Sequence, residues 1–456
     1  MLNARCAEPL NRRPARFRAG VTHHPDPHAS LVAGRVWRET HWREPEEVGL
    51  AGRRLPRWSE FRPLLRPARV QLDPTERRLR RAYTIADLRT IAAHRVPRAV
   101  FDYTDGAAEQ ETSLRRARRS FARVEFHPQA LRDVSTTDTG TTVLGRRWPV
   151  PFALAPTGFT RMMHHEGERA AVRAAQRAGV TFTLSTMGTT SIEQIAQEAP
   201  GADKWFQLYV WRDRAAGKDL VERARAAGYE ALVLTVDTAV AGARMRDVRN
   251  GLTIPPALTP STVLDAAIHP AWWVNLLTTE PLTFASLSEW PGTVAELVNA
   301  MFDPALTFAD IEWLRGVWPG PLLVKGIHTA DDARAVVDHG ADGVIVSTHG
   351  GRQLDRAVAP LEVLSPVVDA VGDRAEVLLD TGIMHGGDVV AALALGAKAC
   401  LVGRAFLYGL MAGGERGVDR AIAILTREMT RTLQLLGVRS IGELNRSHVS
   451  LRRSGS

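Results

Sequence analysis

Residues 346–355 read VSTHGGRQLD, which puts an imidazole, His349, three positions before a guanidinium, Arg352, with Gly350 and Gly351 between them. A guanidinium can clamp a carboxylate through two parallel hydrogen bonds, and a neutral imidazole beside it can take up a proton near neutral pH. Two glycines allow a tight turn and let a ligand come close to the backbone. An isolated histidine would more readily be a satisfied core residue, so its surroundings decide. Lys325 is the next candidate: the chain has four lysines against 54 arginines, and this one ends the apolar run LLVKG. A lysine there either snorkels to water or is held beside an anionic or electron-rich partner, and its position favours the second. Asp237 closes the run ALVLTVD and could hold the other nitrogen of the His349 ring, a pairing the sequence permits without requiring it. DTG at 380–382 and VGRA at 402–405 combine glycine amides with Arg404, which suits a phosphate; two ordinary glycine turns are the plainer reading. The two cysteines, Cys6 and Cys400, form no Cys-x-x-Cys pair, and no metal centre is expected. Cys400 reads as a buried strand residue.

These groups need a scaffold that brings them together. Eight short apolar runs end in polar or glycine-rich turns: 151–158, 181–188, 205–210, 231–237, 322–326, 343–350, 376–382 and 400–404. Amphipathic stretches such as GERAAVRAAQRAG and TADDARAVVDHG lie between most of them, each closed by a glycine as helices prefer. Continuous apolar strands alternating with helices imply a parallel sheet covered on both sides, and eight such units imply a (β/α)₈ TIM barrel, of class α/β. A doubly wound nucleotide-binding sheet would want G-x-G-x-x-G after its first strand, which ALAPTGFTRMM does not supply. In a barrel the C-terminal strand ends share one mouth. That filter selects Thr157, Ser185, Gln207, Tyr209, Thr235, Asp237, Lys325, Ser347, His349, Arg352, Asp380 and Arg404.

Residues 1–55 mix Arg, Pro, His and acids without sustained periodicity and read as a disordered extension. Residues 1–80 hold 17 Arg against nine acidic residues, an excess of eight that equals the net charge of the whole chain, so the body is balanced. No aromatic-interleaved basic patch appears in it, and nucleic acid is not an expected partner. A helical segment follows, in which Thr84 can cap and Pro97 opens a second helix; the barrel domain is expected over 56–445, with a tail at 446–456. One connection, an insertion after strand four at about 246–315, is long. Residues 250–314 of it lack Lys and Arg but hold Trp272, Trp273, Leu276, Leu277, Phe284 and Trp290. Such a loop either meets a membrane surface or folds back as a lid. No hydrophobic leader and no apolar stretch of spanning length are seen, so a cytoplasmic protein, peripheral on the inner face of the cell membrane at most, is expected.

SxHGGRQLD together with LVKG, FQLYV, TVD and ALALGA…VGR resembles the FMN-dependent 2-hydroxy acid dehydrogenase and oxidase family, over about residues 80–445. DVRNG, HPAWW, LLTTEPLTFASL and RAFLYGLMAGGE look closest to its bacterial respiratory, quinone-linked L-lactate dehydrogenase branch. The resemblance implies His349 as the active-site base, Asp237 as its partner, and Arg352 with Arg244 as a carboxylate clamp. It further implies Tyr103 and Tyr209 as substrate contacts and Lys325 as the cation beside the flavin. Pro156, Thr157, Gly158, Ser185, Gln207, Thr235, Ser347, Asp380, Gly382, Gly403 and Arg404 match FMN-contacting positions. The implied reaction oxidises an L-2-hydroxy acid, L-lactate foremost, to the 2-oxo acid. Hydride transfer with proton loss to His349 and prior removal of the Cα proton both stay open. The acceptor is a quinone or another respiratory carrier, and relatives suggest a tetramer. An oxygen-using oxidase or mandelate-type dehydrogenase is the enzymatic alternative; a flavin- or RNA-binding barrel without turnover is the other.

Three positions depart from the family's pattern. Thr348 stands where many relatives have Asn, and Met187 where glycolate oxidase has Trp. DTGIMHGG puts Met384, followed by His385, at the place of the arginine expected near the phosphate, which weakens that charge unless His385 or Arg404 compensates.

Overall fold

The computed structural model describes residues 57–65, 71–252, 265, 267–287 and 302–452; the expected extension 1–55 and Trp290 lie outside them. The chain divides into two units, 1–69 and 70–456. The first contains, among its described residues, a single helical turn, Trp58–Phe61, running into a 3₁₀ turn, Arg62–Leu64. Everything below concerns the second.

That unit begins with short helices. In α1 (Ile85–Ala93) the Thr84 hydroxyl accepts the Asp87 N–H while the Asp87 carboxylate accepts that of Thr84, a reciprocal cap. Helix α2 (Arg98–Asp105) starts at Pro97, and α3 (Thr112–Ala122) follows. A hairpin of Thr141–Val143 with Arg146–Trp148 precedes the barrel.

Eight parallel strands then close on themselves: β1 (Phe152–Leu154), β2 (Phe182–Ser185), β3 (Lys204–Leu208), β4 (Ala231–Thr235), β5 (Leu322–Ile327), β6 (Gly343–Val346), β7 (Glu376–Asp380) and β8 (Ala399–Val402). Further helices are α4 (Gly167–Ala178), α5 (Ile192–Glu198), α6 (Arg214–Ala226), α7 (Pro270–Thr278), α8 (Ala309–Val317), α9 (Ala330–Asp338), α10 (Pro360–Val371), α11 (Gly386–Ala394) and α12 (Arg404–Leu436); the short helices Pro74–Arg80, Thr160–Met163 and Met245–Arg249 lie among the rest. Each of the eight apolar runs expected from the sequence is one barrel strand.

The two-residue strand period sorts the side chains. Phe182, Leu184, Phe206, Leu208, Leu232, Leu234, Val324 and Val346 pack outward with the helices, while Ala153, Trp205, Ala231, Val233, Leu323, Ile345, Leu378, Ala399 and Leu401 fill the barrel interior. Val143 and Trp148 of the hairpin join that interior from below, with the Trp148 and Trp205 rings 5.4 Å apart. Two residues further along the same face come Gln207, Thr235, Lys325, Ser347 and Asp380. The apolar layers therefore end where the polar ones begin.

Two features were not expected. Val449–Leu451, inside the stretch read as a tail, is a strand pairing antiparallel with Val124–Phe126. Within α12, Gly413 and Gly414 leave helical geometry, so the 33-residue helix is broken by a kink near its first third.

The insertion after β4 packs in part on the barrel. Trp272 of α7 donates its indole N–H to the Met162 carbonyl at 2.8 Å, and buried Phe284 lies 4.6 Å from Phe159, centroid to centroid. Ile268, Val274 and Leu277, by contrast, are exposed. No described helix is long and apolar enough to cross a membrane.

Candidate active site

The C-terminal strand ends surround a cleft of about 140 Å³. Its wall includes Pro156, Thr157 and Gly158 after β1, Ser185 of β2, Gln207 and Tyr209 around β3, Thr235 of β4, Lys325 of β5, Asp380 and Gly382 at β7, and Gly403 and Arg404 after β8. Tyr103 of α2, Arg244 of the loop after β4, and His349 and Arg352 of the β6 loop close it. Two of the expected residues stand one layer back: Asp237 behind His349, and Ser347 beneath Lys325.

The β6 loop explains the glycines of the first motif. His349, Gly350 and Gly351 all have positive φ, at 55°, 67° and 74°, three consecutive left-handed residues that turn the imidazole back over the mouth. A side chain at Gly351 would stand 2.8 Å from the Leu114 backbone nitrogen, and one at Gly350 2.7 Å from an Arg404 nitrogen. His349 Nδ1 lies 2.9 Å from Asp237 Oδ1, so its Nε2 is free to act in the cleft. Burial lowers the His349 pKa, opposed by the Asp237 charge; the ring is neutral at neutral pH. For Asp237 burial acts upward, but the hydrogen bond from His349 and the Lys325 charge prevail and hold its pKa below the usual carboxylate value. Gly326 makes room for this carboxylate: a Cβ there would lie 2.8 Å from that of Asp237.

On β5, the strand between those that carry Asp237 and His349, Lys325 is buried as well. Its Nζ donates to Ser347 Oγ at 3.0 Å and sits 3.1 Å from Asp380 Oδ2, which accepts the Ser347 hydroxyl at 2.6 Å. Burial works against the ammonium, yet Asp380 and Asp237 raise its pKa above the usual lysine range. Pairing of Ser185 with Gln207 and of Thr235 with Lys325 in the strand register sets these side chains side by side. Ser185 donates to Gln207 Oε1 at 3.0 Å, while Gln207 Nε2 and Thr235 Oγ1 are buried without a partner among the described residues. An ammonium, an amide N–H₂ and a hydroxyl aimed into one cleft, without protein acceptors for the last two, fit the polar edge of a flavin ring.

The arginines form the opposite wall. The Arg352 and Arg244 guanidiniums lie 4.7 and 5.9 Å from the centroid of the Tyr103 ring, and Arg244 Nε is buried without a partner among the described residues. Burial, and then the neighbouring Arg244, press the Arg352 pKa below its ordinary value. Two crowded cations of this kind gain most from an incoming anion. Tyr209 is buried, which raises the pKa of its phenol and keeps it protonated, and the Phe302 ring meets it edge-on at 5.5 Å.

Several positioning residues were not anticipated. Gln353 donates to the carbonyls of Asp237 and Val240 and accepts the Gly242 N–H, tying the β4 and β6 loops together. Arg246 pairs with Asp102, Asp105 and Glu111, fixing the Arg244 segment to α2 and so to Tyr103. Gln353 lies inside the first motif, but its partners on the β4 loop are more than 110 residues away in sequence and leave no local signal. Arg404, expected beside a phosphate, spends Nε and Nη2 on the carbonyls of Thr104 and Gly106, 2.9 and 2.7 Å away. Arg118 of α3, which carried no expectation, forms part of the cleft wall.

Known proteins can be set beside this geometry. Residues 92–451 match the family model described as FMN-dependent dehydrogenase. A Mycobacterium tuberculosis protein provisionally named an L-lactate dehydrogenase is 58% identical over 404 residues, 88% of this chain and 98% of that one. The L-lactate dehydrogenase of Caulobacter vibrioides is 42% identical over 373 residues, 80% of this chain and 97% of its own. Among solved structures, the monotopic membrane protein (S)-mandelate dehydrogenase superposes with a TM-score of 0.79 at 39% identity, covering 82% of this chain and 100% of that one.

Proposed function

We propose, from the premise that this chain belongs to the FMN-dependent dehydrogenase family, that it oxidises an L-2-hydroxy acid, L-lactate foremost, to its 2-oxo acid. One observation carries the reading: a neutral imidazole backed by a carboxylate shares a cleft with two guanidiniums. Bound FMN supplies the two-electron acceptor. Lys325, Gln207, Thr235 and Ser185 would hold its ring, with Pro156, Thr157 and Gly158 on one side, Asp380 beside Lys325, and Gly382, Gly403 and Arg404 toward its phosphate.

Arg352 and Arg244 bind the substrate carboxylate and so fix its orientation, because a guanidinium fork matches two carboxylate oxygens. Tyr103, gripped by both cations, and the protonated Tyr209 flank that anion. His349 receives a proton from the substrate at Nε2, and Asp237 stabilises the imidazolium that forms. Lys325 holds its charge where electron density accumulates.

Electrons then pass to a quinone or another respiratory acceptor. This is supported by the exposed Ile268, Val274 and Leu277 around α7, in a segment free of Lys and Arg, and by the monotopic nature of the mandelate relative. Such a face suits peripheral contact with the inner side of a cell membrane. A homotetramer, and an extension at 1–55 dispensable for turnover, complete the reading. A mandelate-type substrate, or oxygen as acceptor, is the second reading, favoured by mandelate oxidase at TM-score 0.70 and 38% identity.

The test is anaerobic flavin bleaching by a panel of L- and D-2-hydroxy acids, with peroxide measured in air. Preferential bleaching by L-lactate without peroxide is expected. Preference for L-mandelate, or stoichiometric peroxide, would establish the second reading, and no bleaching by any member would refute both.

A further inference from the structure

We propose that Arg118 supplies the cation facing the flavin phosphate that the β7 loop itself lacks. This rests on the reading above that the phosphate lies at the β7 and β8 end of the mouth. The loop runs Asp380, Thr381, Gly382, Ile383, Met384, His385 and contains neither lysine nor arginine. Its histidine is committed elsewhere: Nδ1 accepts the Gly387 N–H at 2.8 Å, capping α11, and Nε2 lies 3.5 Å from Glu428. Arg404 is in the wall but gives two of its three nitrogens to backbone carbonyls. A phosphate monoester carries roughly 1.5 to 2 negative charges at neutral pH, more than one largely spent guanidinium balances.

Arg118 reaches this place through close packing of α3. A side chain at Gly382, where φ is +91°, would stand 3.0 Å from the Phe121 ring and 3.4 Å from Ala117 Cβ, so only a glycine lets the helix come so near. Between those two contacts on α3 sits Arg118, its guanidinium 5.6 Å from the Phe121 ring centroid. Nη1 donates to the Gly382 carbonyl and, at 2.7 Å, to Asp388 Oδ2. The same oxygen accepts the backbone N–H groups of Met384 and His385 at 2.9 and 3.0 Å. Asp388 thus pins the guanidinium onto the very loop whose own cation is missing. Nε and Nη2 make no hydrogen bond among the described residues, and the side chain, 38% exposed, can offer them to an anion.

Full-length protein freed of flavin is titrated with FMN and, separately, with riboflavin, which lacks the phosphate, following flavin fluorescence. Arg118→Met should weaken FMN about ten- to a hundredfold while leaving riboflavin within about threefold, and adding Met384→Arg should restore most of the loss. Equal losses for both flavins would mean a packing role and overturn the proposal, as would unchanged FMN binding. If Met384→Arg tightens FMN over riboflavin while Arg118→Met changes nothing, Arg118 alone loses its role. If Met384→Arg affects the two flavins alike in both backgrounds, the phosphate lies elsewhere, and the placement falls together with Arg118.

Discussion

His349 Nδ1 and Asp237 Oδ1 meet 2.9 Å apart although 112 residues separate them, each side chain reaching from the end of its own strand. Burial holds the imidazole below its ordinary pKa of 6.5, so it is a competent base above that lowered value and becomes protonated, and inactive, as the pH falls through it. The acid limb of kcat/KM should therefore lie below pH 6.5. Asp237→Asn removes the charge that raises the imidazole pKa, and the limb should move still lower while turnover drops. A wild-type limb at or above pH 7 would contradict this assignment.

His349→Gln should fold, bind flavin and stay yellow, because the glutamine amide can still donate a hydrogen bond toward Asp237 in place of the ring. Loss of a general base costs about a hundred- to ten-thousandfold. Rapid-mixing measurement of flavin reduction reads this directly, and wild-type rates would remove the histidine from the chemistry.

Arg352→Lys keeps the charge but not the fork. Bidentate recognition is lost, and kcat/KM for the hydroxy acid should fall about tenfold or more, chiefly through KM. The same substitution should leave binding of uncharged substrate analogues unaltered; steady-state kinetics with an acid and its amide make the comparison.

Lys325→Met would leave Asp380 buried beside Ser347 with its cation gone. Breaking such a pair from one side costs about 3–5 kcal/mol. Chemical denaturation should show this loss, and Lys325→Met combined with Asp380→Asn should recover a large part of it. A double variant no more stable than the single one would show that the two side chains are not coupled.

The barrel was legible because its code is short-range. Each strand is a run such as ALVLT or GVIV, and the polar residue two places beyond the last interior apolar one, Thr235 or Ser347, announces the mouth. Legibility fails where position depends on distant packing. Arg118 is one of several arginines in LRRARRSFA, and only the approach of Phe121 to Gly382 singles it out. The strands Val124–Phe126 and Val449–Leu451 have three residues each, too few for any period to show, and are held by a partner more than 300 positions away. Phe302, which props Tyr209, comes from an insertion whose sequence does not share the strand and helix rhythm of the barrel.

The paired indoles of Trp148 and Trp205 bear on traffic. With the barrel's floor stoppered by these rings, the mouth at the C-terminal strand ends is the doorway that the described residues leave to reactants and products alike. An acid and an electron acceptor that must queue at one entrance take turns, the first leaving as its keto product before the second arrives. Initial-rate lines for varied acid at several acceptor concentrations should accordingly run parallel instead of crossing.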